Sequence, residues 1–142
     1  MTFARINPVI TSEPALGGSP YQPGVCNIGP AEIARRRRAG HVGLVVSVVV
    51  LGGLVALHVS PLARFIVALP AASAASGYLQ AVLHFCAGFG SRGVFNFGEL
   101  GPVFEVADPA ARARDRARSL QIGLASVAIG IAVGVLAVIL PL

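Results

Sequence analysis

The sequence predicts an all-α integral membrane protein with three transmembrane helices. A short interfacial helix precedes the first, and a Gly/Phe-rich loop, read as a β-hairpin, joins the second to the third. Three observations carry this prediction. Of the 142 residues, 55% are hydrophobic and 12% charged, about half the charge expected of a soluble domain. The mean hydropathy is +0.78, and one soluble core in so short a chain could not hide that much aliphatic surface. The apolar residues also fall in three runs of membrane-spanning length, 41–59, 62–85 and 120–140, interrupted by a single charge at Arg64. The chain divides into an extended Pro-rich tail, 1–25, and a single membrane domain, 26–142.

Residues 1–25 hold four prolines and three glycines and show no helical period. They read as an extended cytoplasmic tail, with no apolar run to act as a secretory signal. Pro30 with Glu32 close behind is a helix start, because proline suits the first turn. The helix that begins there passes through Arg35, Arg36, Arg37 and Arg38 and is expected to run from the interface into the first span. The nineteen residues 41–59 carry no formal charge and rise ~28 Å at about 1.5 Å each, close to one hydrocarbon thickness. Ser60-Pro61 turns the chain, and Arg64 is placed to snorkel to the nearby interface. Pro70 lies inside the second span, where membrane helices tolerate it when neighbours satisfy the freed carbonyl. A kink is expected there, after a regular turn through Phe65 and Leu69.

The loop 88–108 is rich in glycine and phenylalanine. Val94-Phe95-Asn96-Phe97 and Val103-Phe104-Glu105-Val106 alternate on either side of Gly98-Glu99-Leu100-Gly101, the pattern of a hairpin whose phenylalanines lie at the membrane surface. Asp108-Pro109 forms an N-cap and first-turn pair for a juxtamembrane helix over 109–118. Asp115 stands three residues from both Arg112 and Arg118, a spacing that predicts ion pairs on one helical face. The third span follows without a breaker.

All 11 basic residues are arginine, a usage we read as bacterial. Arg5, Arg35 to Arg38, Arg92, Arg112, Arg114, Arg116 and Arg118 flank the spans on one side, and Arg64 stands alone on the other. The cytoplasmic bias of basic residues then predicts a multi-pass protein of the bacterial inner membrane, N-terminus cytoplasmic and C-terminus periplasmic. The same arginines are expected to meet anionic lipids. The net charge of +5 does not point to nucleic acid, since no face interleaves aromatic and basic residues. Cys26 and Cys86 fit no metal motif and are expected as reduced thiols.

Ser73, Gly77, Gln80, His84 and Gly88 recur at steps of three and four, which predicts one helical face suited to close helix packing. Gly123, Gly130 and Gly134 extend the same pattern to the third span, with Ser119 and Ser126. The first span offers Gly43 to Ser47 and Gly52 to Ala56. His84 is a candidate cofactor ligand for haem or chlorophyll, or with Gln80 a proton relay; interhelical contact is the weightier reading, because no second histidine or carboxylate accompanies it. Cys86 is a candidate thiol. Gly88-Phe89-Gly90-Ser91-Arg92-Gly93 matches a dinucleotide fingerprint in letters but lacks the strand before it and the helix after it. The spans contain no Asp, Glu or Lys, and no nucleophile with its base is apparent. A catalytic role is therefore not expected.

Asn27-Ile28-Gly29 ahead of a basic stretch, Gly40 opening a span, and Phe85-Cys86 followed by Gly90 resemble the small two-helix membrane domain of the YgaP-like (DUF2892) group, over residues 26–90. The group's cysteine is typically followed by proline; here Ala87 follows, and a third helix is added. The resemblance implies a bacterial inner-membrane module sometimes found with sulfur-handling domains. Taken together, the expectation is a non-catalytic accessory subunit of a larger membrane complex, respiratory or photosynthetic, whose partners are other transmembrane subunits. The sequence requires no cofactor; pigment or haem would come through the partners. The alternatives are a thiol or sulfur relay through Cys86 and a pigment or haem binder through His84.

Overall fold

The computed structural model describes residues 20–142; residues 1–19, with Arg5 and most of the expected tail, lie outside the described residues. Three of its helical stretches are long and apolar enough to cross a membrane: Pro30–Ala56, Pro61–Val82 and Pro109–Ile139. They fit a multi-pass membrane protein.

Helix α1, Pro30–Ala56, is one rod of 27 residues that starts behind Gly29 with proline in its first turn. At about 1.5 Å per residue it is ~40 Å long, so the interfacial helix and the first span are continuous. It stops at Ala56, short of Val59. His58 turns left-handed with φ 52°, and the N–H groups of His58 and Val59 bond back to the Val55 and Leu54 carbonyls, each at 3.0 Å. This is a left-handed closing turn with histidine where glycine usually stands. Ser60 is then extended, as the residue before proline must be.

The second span is not a kinked α-helix. Pro61–Val67 winds as a 3-10 helix, and α2, Ala68–Val82, takes over from it. Pro70 falls in the first turn of α2 and has no N–H to offer the Ile66 carbonyl four residues earlier, so the α-helical ladder cannot run back through this point. The span ends at Val82 and not at Phe85. His84 repeats the closing turn of α1 with φ 52°, and the Phe85 N–H bonds the Gln80 carbonyl at 3.1 Å.

A short helix α3, Ala87–Arg92, occupies the start of the loop, where an irregular segment was expected. The hairpin forms as β1, Val94–Phe95, against β2, Phe104–Glu105, antiparallel, with Val94 opposite Glu105 and Phe95 opposite Phe104. It is shorter than the alternation implied, and its connection is a wide loop. Such a hairpin is marginal alone; here the extended segment 27–29 braces it by a single parallel bridge between Ile28 and Asn96, through Gly29 N–H to the Asn96 carbonyl at 2.8 Å and Asn96 N–H to the Asn27 carbonyl at 3.0 Å. Helix α4, Pro109–Ile139, is again one continuous rod, with the Asp108 carboxylate accepting the Ala110 and Ala111 N–H groups at 3.1 and 3.2 Å.

Helix α2 packs against α1 on one side and α4 on the other. Both contacts depend on small residues. A Cβ on Gly77 would collide with the Gly40 backbone, 2.7 Å from its Cα, and one on Gly43 would lie 2.7 Å from Ala74 N. On the other side, a Cβ on Gly130 would lie 2.6 Å from the Ala68 carbonyl oxygen, and one on Gly134 would lie 2.9 Å from the Phe65 ring. Buried Ser47, Ser119 and Ser126 hydrogen-bond the carbonyl four residues earlier in their own helices, a local partner that spares them an unsatisfied hydroxyl. The opposite faces carry exposed Val42, Val45, Val48 and Val49 in α1 and Leu120, Leu124 and Val127 in α4, the surface a lipid-facing helix presents.

Candidate functional site

The polar side chains gather at the arginine-rich end, where the chain before α1, the loop after α2 and the start of α4 meet. Their centre is Cys86, which is 1% exposed. Its sulfur caps α3 by accepting the Phe89 N–H at 3.4 Å, and it also accepts from Arg36 Nη2 at 2.9 Å. Asn27, fully buried, clamps the same residue's backbone: its Oδ1 accepts the Cys86 N–H at 2.7 Å and its Nδ2 donates to the Cys86 carbonyl at 3.1 Å. Gln80 Oε1 accepts the Ala87 N–H at 3.0 Å. Glu32, 1% exposed, faces the Arg36 guanidinium at 3.6 Å and Arg35 at the same distance. Arg36 and Arg92 stand over the Phe89 ring at 5.8 and 5.5 Å, within cation–π reach. A cationic donor thus sits directly on a buried sulfur, backed by a buried carboxylate.

A second knot ties residues 20–26 to α4. Asp115 has no exposed surface. Its Oδ2 accepts the Tyr21 hydroxyl at 2.8 Å and its Oδ1 the Gly24 N–H at 2.7 Å. The ion pairs expected with Arg112 and Arg118 do not form, because Asp115 turns inward. Arg112 Nε donates to the Val106 carbonyl, and Arg118 donates to Gln121 Oε1 at 3.3 Å. Burial, and next the Asp115 hydrogen bond and charge, push the Tyr21 phenol above its ordinary range. The Tyr21 ring stacks on Phe95 at 4.9 Å, and Phe97 and Phe104 lie within 6.0 Å of Phe95. Burial also pushes the Cys26 thiol up, opposed by its hydrogen bond to the Ile28 carbonyl. Both cysteines are free thiols.

No family model, curated protein or solved structure matches the chain.

The face read through Ser73, Gly77, Gln80, His84 and Gly88 is not a continuous one. Gly77 is at the α1 contact, Ser73 points outward and is exposed, and Gln80 bonds Ser76 and Ala87 instead of a neighbouring span. His84 lies beyond the helix end, exposed, where its backbone forms the closing turn and its carbonyl accepts the Asn27 N–H at 3.2 Å. In α4, Gly130 and Gly134 are at the α2 contact, whereas Gly123 is exposed with nothing within 4 Å of a Cβ built on it; Ile122 takes the buried position. Arg35, Arg37, Arg38, Arg92, Arg114 and Arg116 are exposed around the cap, and Arg36, Arg112 and Arg118 are partly covered. The roles of Asn27, Glu32, Asn96 and Asp115 were missed. For Asn27, Glu32 and Asn96 the available signal is their place beside Gly- or Pro-containing turns; Asp115, inside an Ala/Arg helical run, offers none.

Proposed function

We propose that the protein is a non-catalytic accessory subunit of a larger bacterial membrane assembly, of the respiratory or photosynthetic type. It sits in the inner membrane with the arginine-rich cap and N-terminus cytoplasmic and the C-terminus periplasmic. One observation carries the reading. Gly52 and Gly53 are adjacent in the lipid-exposed half of α1, and nothing lies within 4 Å of a Cβ built on either. A glycine in a helix interior costs roughly 1 kcal/mol relative to alanine, and here no packing among the described residues makes use of that cost. Small residues on a membrane helix let another backbone approach closely, which supports a helix from another subunit. The exposed arginines around the cap support the orientation, and the resemblance of residues 26–90 to the YgaP-like group supports the same membrane.

Mild-detergent extraction followed by mass spectrometry of the intact assembly tests this. The wild-type chain is expected to co-purify with a membrane partner, and a Gly52→Leu/Gly53→Leu double variant to be released from it with its helix content unchanged. A wild-type chain that emerges alone, folded and monomeric, overturns the proposal.

A second reading, a thiol or sulfur relay through Cys86, is favoured by the 2.9 Å contact from Arg36 to the sulfur, since cationic neighbours accompany reactive cysteines. If it holds, Cys86→Ser abolishes uptake of sulfane sulfur by the purified chain and Arg36→Gln slows it; a Cys86→Ser protein that labels as well as wild type removes the reading.

A further inference from the structure

The six acidic residues, Glu13, Glu32, Glu99, Glu105, Asp108 and Asp115, all fall outside residues 33–98. The carboxylates among the described residues therefore belong to the arginine-rich end of the molecule, where α1 and α4 begin. Arg64 lies at the other end, in the 3-10 helix that follows the turn after α1. It does not snorkel freely. The residue is 7% exposed, and its Nε is fully buried with no acceptor among the described residues. The Nε atoms of Arg36 and Arg118 are buried in the same way, but those guanidinium groups reach Cys86, Glu32 and Gln121 through their other nitrogens, whereas Arg64 meets no acceptor among the described residues. The ion pairs formed among the described residues are those of Glu32 with Arg35 and Arg36, at the other end. A guanidinium is always charged and carries five N–H donors, and an uncompensated one in a membrane span is costly.

Depth and shape indicate what compensates it. Arg64 is three residues into a 3-10 helix that starts at Pro61; at about 2 Å per residue that is ~6 Å inside the turn, near the boundary of headgroups and acyl chains. Its neighbour Phe65 is wedged against Gly134 of α4, and exposed His58 and Ser60 lie in the turn above. The planar fork of arginine matches two oxygens of a phosphate. We propose that Arg64 is the anchor of a discrete phosphate-binding site in the leaflet opposite the arginine-rich cap, occupied by the headgroup phosphate of one phospholipid. It differs from the diffuse attraction of the exposed cap arginines in being a single, largely buried donor group.

Native mass spectrometry of the full chain in mild detergent tests this, with phosphatidylglycerol, a phosphate-free diglucosyl diacylglycerol and inorganic phosphate as probes. Wild type is expected to keep one phospholipid through delipidation and to prefer it over the glycolipid. Arg64→Gln should bind it about tenfold more weakly or worse, and Arg64→Lys, which keeps the charge without the fork, should fall between. Arg37→Gln/Arg38→Gln, at the cap, should leave the retained lipid in place. Displacement by inorganic phosphate would identify free phosphate as the ligand of the same site; resistance to it identifies the lipid. Equal retention by wild type and Arg64→Gln, or equal retention of glycolipid and phospholipid, overturns the proposal. Should Arg64→Gln fail to fold, photo-crosslinking of phosphatidylglycerol to wild type decides: label on the Phe65 or Gly134 peptide supports the site, and label confined to the cap sinks it.

Discussion

At the arginine-rich end Asn27, Glu32, Asn96 and Asp115 are each at most 1% exposed; the side chains of Asn27 and Asp115 tie distant chain segments together, and that of Asn96 shapes its own turn through Gly98 and Glu99. At the opposite end nothing among the described residues lies within 4 Å of a Cβ built on Gly52 or Gly53. There Arg64, with a buried Nε, has no acceptor among the described residues, whereas Arg36 and Arg118 at the first end bond Cys86 and Gln121 through their guanidinium groups. The first region gets its shape from polar groups whose alternatives are worse, since a buried polar atom left unpaired costs more than a pair contributes. The second is ordered by backbone turns and by the close contacts of Gly130 and Gly134 with Ala68 and Phe65, with no buried polar network of that kind among the described residues. If the proposed partner and lipid are present, they meet the molecule at this end. Between them, α1 and α2 meet at Gly40, Gly43 and Gly77, where the backbones touch.

That meeting point is where the difference breaks most easily. Gly77→Leu would drive a side chain into the Gly40 backbone and the Arg36 carbonyl, which a Cβ already approaches at 2.7 and 2.8 Å. Overpacking of this kind typically costs about 1–3 kcal/mol; with backbone on the far side, which cannot rotate away, the expected loss is about 3 kcal/mol or more. Thermal unfolding in detergent, followed by circular dichroism, would show it, and an unchanged midpoint would mean that α1 and α2 are further apart than described.

Next comes the clamp on Cys86. Asn27→Ala strands the Cys86 N–H and carbonyl, both buried, and leaves the capping turn of α3 without its brace. An orphaned buried group costs about 1–3 kcal/mol, so a loss of about 2–3 kcal/mol is expected, together with faster alkylation of Cys86 as the cap loosens. Alkylation at the wild-type rate would show that the thiol is guarded by something other than this contact.

Much of the span architecture was legible from the residues. Three apolar runs, one of them interrupted by Arg64, correspond to three helical stretches long and apolar enough to cross a membrane, and Pro30 and Asp108-Pro109 mark two helix starts, because each signal is local. The hairpin is legible in the two runs that pair but not in their paired length, since the segment 27–29 that braces it is distant in sequence. The two ends mistaken by three residues, at Ala56 and Val82, share one cause. His84 reads as a polar side chain on a helix face, and His58 as the headgroup-facing end of the first span, but both serve as left-handed backbone at a helix end, a conformation histidine enters more readily than most residues other than glycine. Asp115 was misplaced for the reverse reason. Its spacing from Arg112 and Arg118 is ideal for surface pairs, and only the fold brings Tyr21 and Gly24 to it from 94 and 91 residues away. Helical spacing gives neighbours along one rod; it does not say which face turns inward.

The Tyr21 tie offers a smaller effect with a pH signature. Tyr21→Phe removes one hydrogen bond to a buried carboxylate and should cost about 1 kcal/mol, the lower part of the range for bonds to charged groups because the phenol is partly exposed. Burial first, and then Asp115, hold the phenol protonated beyond its ordinary value. In the unfolded chain the same group ionises near pH 10. The folded state therefore keeps a proton that the unfolded state releases, so this contribution is intact below about pH 10 and is lost as the pH rises above it. Wild type should lose midpoint temperature between pH 9 and 11 more steeply than Tyr21→Phe. Parallel slopes would place the phenol in water and undo the tie between residues 20–26 and α4.

The smallest expected change in stability is also the most diagnostic. Gly52→Leu adds a large side chain where nothing lies within 4 Å, so overpacking has nothing to act on, and leucine is the better helix former by up to about 1 kcal/mol. The isolated chain should thus be unchanged or slightly more stable, the opposite of Gly77→Leu on the neighbouring helix. If an outside helix does approach at Gly52 and Gly53, the same substitution should weaken that association while leaving the monomer's unfolding untouched, because the added bulk meets only the partner. Paired unfolding and co-purification measurements on Gly52→Leu therefore separate a glycine that serves the chain's own fold from one that serves another. A drop in both would assign it to the fold, and a drop in neither would leave lipid as its neighbour.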